Sequence, residues 1–148
     1  TLRRIALSLG FDGDAFYQLM ARSSCISADA GHAVHPNYTH LHDPQNRPLL
    51  NEGPLLKLNA NHRYASEATG SALWYRACER ADVPTQEFVS NNAVPCGSTI
   101  GPLTATRLGL TTVDVGIPLL SMHSAREMCG TADVRYLALA LAAYWEGA

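Results

Sequence analysis

Short β-branched or apolar runs alternate with segments of helical period along the whole chain, and this alternation restricts the fold more than any other feature. Runs of this kind bury both faces only when helices cover them, which implies an α/β layered class with a largely parallel sheet. Phe16, Leu19 and Met20 give Asp14 to Ser23 helical spacing, and the segment feeds the β-prone run Cys25-Ile26-Ser27-Ala28. A polar loop is expected from about Asp29 to Glu52. Gly53 to Leu58 reads as a strand, Ser66 as the N-cap of a helix reaching near Arg80, and Glu87-Phe88-Val89 as a third strand. Ser98 or Thr99 is expected to cap a helix to about Leu108, closed by Gly109, before a buried strand from Thr111 to Val115. In the last helix Val134, Leu137, Ala138, Leu141, Ala142 and Trp145 fall on one stripe, with Thr131 as cap and Asp133 in the first turn.

With 148 residues, 47% of them hydrophobic, the chain suits a single domain with a real core. Eleven Lys and Arg against thirteen Asp and Glu leave a net charge of -2, so no basic field favours nucleic acid or an anionic membrane. No apolar run approaches the roughly 18 to 20 residues of a membrane span, and the opening TLRRIALSLGFDGD lacks a secretory core, so a cytoplasmic protein is expected. Cys25, Cys78, Cys96 and Cys129 form no C-x-x-C pair, which fits free thiols in a reducing compartment. Thr1 in place of Met suggests a start partway into a longer protein.

Ligands of open α/β sheets collect beyond the carboxyl ends of the strands, so polar residues just after strands matter most. Two stretches qualify: Ser27 to Asn37, followed by His40, His42 and Asp43, and Leu119 to Glu127. Imidazole and carboxylate suit Zn²⁺, and Asp29 and His123 are the candidate ligands. The same residues also suit a turn cap and a solvated histidine, because D-x-x-H-x-x-H lacks the specificity of H-E-x-x-H. Pro95 to Pro102 reads as a tight turn entering a helix, where N–H groups can meet a carboxylate or carbonyl. No G-x-S-x-G surrounds Cys96 or Ser98, and no G-x-G-x-x-G follows a strand, which disfavours acyl-enzyme and dinucleotide chemistry. Lys57 is the only lysine beside ten arginines, and alternation sets it on the face opposite Leu56 and Leu58. Tyr64 and Trp74 read first as packing residues.

Four motifs occur in one order: S-A-D-x-x-H-A-x-H-P-N, G-P-x-x-K-x-N, P-C-G-S-T-I-G-P and M-H-S-x-R-E. Together, from about Leu2 to Trp145, they resemble the C-terminal part of aspartyl aminopeptidases, the M18 family of zinc metallopeptidases. The resemblance implies a three-layer α/β/α sandwich of the zinc-exopeptidase type, present only in its C-terminal segment, so residues 1–148 are expected to form the C-terminal portion of one catalytic domain. It implies two zinc ions per site, with Asp29 a ligand of one and His123 a ligand of the other. His32 and Tyr64 match substrate-contacting positions, Lys57 matches the cation that receives the acidic side chain, and His35 is expected to be structural or to support a metal ligand from behind. The implied substrates are peptides with N-terminal Asp or Glu, and the implied assembly is a homo-oligomer.

The family's bridging Asp, further His and Glu ligands, general-base Glu and inserted β domain have no counterpart before Asp29. No catalytic general base is therefore assigned here, and the isolated chain is expected to be inactive. Gly31 stands where Ala is common, and Ala93 replaces an acidic residue two positions before the Pro of P-C-G. The alternative to an aminopeptidase is a catalytically incomplete relative with a structural, assembly or regulatory role.

Overall fold

The computed structural model describes residues 1–97 and 100–148. Helices α1 (Leu2–Ser8) and α2 (Gly13–Ala21) lead into β1 (Ser24–His32), and a short 3-10 helix follows at Pro36–Leu41. After β2 (Leu55–Leu58) come α3 (Ala68–Ala81), β3 (Gln86–Val89), α4 (Gly101–Leu108), β4 (Thr111–Leu120), β5 (Met128–Cys129) and α5 (Thr131–Trp145). The strands form one sheet in the order β1-β4-β2-β3, with β5 pairing β4. It is mixed rather than largely parallel: β1/β4 and β2/β3 run parallel, while β2/β4 and β4/β5 are antiparallel.

Alternation sorts the strand residues between two layers. Leu56, Val113 and Val115 pack with Trp74, Cys78 and Ala140, so α3 and α5 cover one face. Leu55, Tyr64 and Phe88 form a separate cluster on the other face, where a Cβ on Gly101 at the start of α4 would touch the Asp114 carboxylate. This helix-sheet-helix layering is the α/β architecture expected from the sequence. Trp74 is fully buried, and its indole N–H donates to Thr85 Oγ1 at 3.0 Å, which fits the packing role.

Five local expectations need correction. The loop expected from Asp29 is strand as far as His32, because nine parallel pairs join β1 to β4 and the partner strand supports Asp29 and His32. For the same reason β4 runs on to Leu120 rather than ending at Val115. Glu67, not Ser66, occupies the N-cap of α3, since the Ser66 hydroxyl is engaged by the backbone of Asp114. Gly130 is the N-cap of α5, and Thr131 is its first residue. The Ser98 or Thr99 cap lies outside the described residues, whereas the Gly109 stop is confirmed at φ 67° in the left-handed region.

The fifth correction concerns the α5 stripe. The buried face carries Asp133, Ala140 and Ala143, with Leu137 half-buried, while Val134 is 53% and Trp145 77% exposed. A helix built largely of Ala and Leu is apolar on more than one side, so period alone does not select the face that packs.

Asp133 does more than favour the helix dipole. Its fully buried carboxylate accepts the N–H groups of Asn51 at 2.8 Å and Gly53 at 3.0 Å, while Asn51 Oδ1 accepts the N–H of Ala132 at 2.9 Å. Gly53 sits at φ 102° with Pro84 O 2.3 Å from where a Cβ would lie, so only glycine fits this entry to β2. Asp133→Ala strands two donors at about 1–3 kcal/mol each, so its urea midpoint is expected to fall well below the parent's. An unchanged midpoint would show that the clamp contributes nothing.

Candidate active site

The sheet register brings the sequence-selected residues to one place. Asp29, His32, Lys57, Tyr64 and His123 all line a cavity of about 550 Å³ bounded by the last residues of β1 and β4, by β2 and β3 and by the segment after β4. Lys57 lies at its floor, only 1% exposed, on the face opposite Leu56 as alternation requires. Its Nζ is 3.5 Å from Asp29 Oδ2 and 5.6 Å from the centre of the Tyr64 ring. The ion pair is asymmetric, because the Asp29 side chain is 54% exposed. Burial pushes the Lys57 pKa down, and the carboxylates of Asp29 and Asp114 oppose that shift.

Gly31 is part of this floor. A Cβ there would lie 2.5 Å from Leu55 Cδ1 and 3.6 Å from Lys57 Cε, so the glycine leaves space beside the lysine stem. Tyr64 is 7% exposed and packs edge-on against Phe88 at 6.3 Å. Its pKa is raised, first by burial and then by the Cys96 thiol that it faces. It therefore serves the core and lines the cavity with the same ring. The His32 pKa is lowered by partial burial, then by His123 and Lys57, which favours a neutral imidazole able to donate or accept.

His123 follows β4 on unusual backbone. Ser121 and His123 have φ of 57° and 67°, and the His123 N–H donates to Glu127 Oε1. Two non-glycine residues in the left-handed region within three positions reverse the chain sharply and leave His123 exposed at the cavity wall. His35 caps the 3-10 helix, its Nδ1 accepting the Asn37 N–H at 3.2 Å, in keeping with a structural role. Around Ala93, Asn91 organises the loop: its Oδ1 accepts the Ala93 N–H at 2.9 Å and its Nδ2 donates to His40 O at 3.3 Å.

Sequence reasoning missed Asp114 and left His42 unassigned. His42 lines the cavity with its pKa lowered by burial, and no spacing rule separates it from the neighbouring exposed histidines. Asp114 is fully buried in β4. A charged residue inside the β-branched run Thr111 to Val115 was the signal available for it.

Carboxylate and imidazole are donors that zinc accepts, and Asp29 and His123 offer one of each at the same cavity. Among the described residues, no group of three or more His, Cys, Asp or Glu is placed to hold a metal ion. The donors present fit zinc in kind but make only part of a coordination sphere.

Carboxylate, imidazole and ammonium groups from β1, β2 and the segment after β4 thus meet at one cavity of a helix-covered sheet. The sequence model of the family described as Aminopeptidase I zinc metalloprotease (M18) matches residues 1–145, and the chain belongs to that family. It is 52% identical over 143 residues to a probable M18 family aminopeptidase 2 of Streptomyces coelicolor, covering 97% of this chain and 33% of that protein. An M18 family aminopeptidase from Thermotoga maritima superposes with a TM-score of 0.85 at 28% identity, over 97% of this chain and 33% of that one. The mApe1 dodecamer of S. cerevisiae gives 0.79 at 30% identity, over 89% and 28%. The chain thus spans about a third of the length of these relatives.

Proposed function

We propose that residues 1–148 form the C-terminal portion of the catalytic domain of a zinc aminopeptidase that releases N-terminal Asp and Glu from peptides. The observation that carries this reading is Lys57, a buried ammonium at the floor of a cavity whose wall also holds Asp29 and His123. In this reading Asp29 and His123 each hold one of two zinc ions, and the remaining ligands and the general base come from outside these residues. Bound zinc would supply Lewis-acid activation of water and of the scissile carbonyl.

Lys57 receives the carboxylate of the substrate's first side chain. A buried site built to pair a carboxylate leaves its charge uncompensated when a neutral residue binds, and this disfavours neutral substrates. Tyr64 and the stem of Lys57 form the apolar sides of that pocket, while His32 in its neutral form donates to or accepts from the bound peptide. A homo-oligomer is the proposed assembly, supported by the dodecamer among the structural relatives. Four free cysteines support a cytoplasmic setting.

The test is hydrolysis of chromogenic N-terminal Asp, Glu and Leu substrates with added zinc, by the full-length protein and by residues 1–148 alone. Turnover of the acidic substrates by the full-length protein and none by the 148 residues is expected. Turnover by the isolated chain would contradict the incomplete metal site, and a preference for Leu would contradict the role of Lys57.

A further inference from the structure

We propose that Asp114 is a positioning residue for the acidic-side-chain pocket, tethering the Tyr64 segment from below and lying across the sheet from Lys57. The proposal rests on the reading of the cavity given above. In the antiparallel β2/β4 pair Leu55 faces Gly116 and Leu56 faces Val115, so the next rung sets Lys57 opposite Asp114. The parallel β1/β4 pair sets Ser27 beside Asp114. Residues on one rung share a face and keep their Cβ atoms about 4.5–5.5 Å apart. Ser27, Asp114 and Lys57 thus form a polar row across the sheet, at 3%, 0% and 1% exposure.

Asp114 grips the chain just after Tyr64 in three ways. Its Oδ2 accepts the Ala65 N–H at 2.6 Å, its N–H donates to Ser66 Oγ at 3.0 Å, and its carbonyl accepts from Ser66 Oγ at 3.3 Å. On the far side a Cβ at Gly101 would lie 2.2 Å from both carboxylate oxygens, so α4 closes the space into which Asp114 could retreat. With Ala65 and Ser66 fixed, the Tyr64 ring is held 5.6 Å from Lys57 Nζ and against Phe88. A carboxylate this deep is costly to bury unless its hydrogen bonds and a counter-charge offset the loss of water. The Ala65 N–H and the Lys57 ammonium on the same rung contribute to both, and in return they fix where Tyr64 and Lys57 meet a ligand.

The test uses the full-length enzyme carrying Ser66→Ala, Ser66→Thr or Asp114→Ala, with kcat, KM, bound zinc and thermal midpoint measured for N-terminal Asp and Leu substrates. Ser66→Ala removes the hydroxyl tether while leaving the buried carboxylate, and so remains informative if Asp114→Ala fails to fold. The expected result for Ser66→Ala is a KM for Asp substrates raised about threefold to tenfold, the factor that one hydrogen bond carries, with kcat and zinc content retained. Ser66→Thr restores the parent KM, and Asp114→Ala lowers the Asp over Leu preference further than Ser66→Ala does. Equal losses on Asp and Leu substrates, or a fall in kcat alone, would overturn the positioning role and leave these residues with stability only. A parent enzyme without Asp preference would instead overturn the substrate reading beneath it.

Discussion

Replacing Asp29 or His123 by Ala in the full-length enzyme is expected to abolish peptidase activity and lower bound zinc. Catalytic zinc is held by as few as three protein ligands, so loss of one opens the coordination sphere to solvent. Changing an outer partner of a metal ligand already costs roughly 10- to 100-fold, and loss of the ligand itself should exceed that. The two variants should differ in one respect. Asp29 also faces Lys57 Nζ at 3.5 Å, and the lysine is 1% exposed, so Asp29→Ala leaves a buried ammonium short of a counter-charge. Its thermal midpoint should fall further than that of His123→Ala, whose exposed position adds no stranded buried charge to the loss of zinc. Metal analysis beside kinetics and calorimetry reads all three quantities. Full zinc content with a normal rate in either variant would return that residue to a turn cap or a surface histidine.

Lys57→Met is expected to reduce kcat/KM strongly for N-terminal Asp and Glu while sparing N-terminal Ala and Leu. Truncating one partner of a desolvated charge pair costs about 2–5 kcal/mol, and the whole of that loss falls on substrates that bring the other charge. Zinc content should not change, since lysine is not a ligand. Stability should fall, because the fully buried Asp114 carboxylate loses the ammonium that offsets its burial, while the Asp29 side chain is 54% exposed and can take up water. A uniform loss across substrates would make Lys57 a structural strand residue. An unchanged Asp to Leu ratio would move selectivity to His32 and Tyr64.

What could be read from the residues alone divides along physical lines. The face of Lys57 follows from the two-residue period of a strand, and its burial beneath the cavity agrees with that pattern. The meeting of Asp29, His32, Lys57, Tyr64 and His123 at one cavity matches the order of the four motifs. The length of β1 was not legible, since Asp29-Ala30-Gly31-His32 has no strand propensity and is held extended by pairing with β4, more than eighty residues away. The left-handed turns at Ser121 and His123 leave little compositional trace, because serine carries no such preference and histidine only a modest one, and neither is glycine. The packed face of α5 was misread because alanine permits close approach on any side. The clamp from Asp133 to Asn51 and Gly53 is equally non-local.

The most direct measurement is anomalous diffraction at the zinc edge from crystals of the full-length enzyme soaked with zinc and an N-terminal Asp ligand. Two zinc peaks are expected at the cavity, one about 2.0–2.2 Å from an Asp29 oxygen and the other about 2.0–2.1 Å from a His123 ring nitrogen, with the ligand's side-chain carboxylate on Lys57 Nζ. Zinc bound elsewhere, or a ligand whose acidic group points away from Lys57, would contradict the assignment of this cavity as the active site.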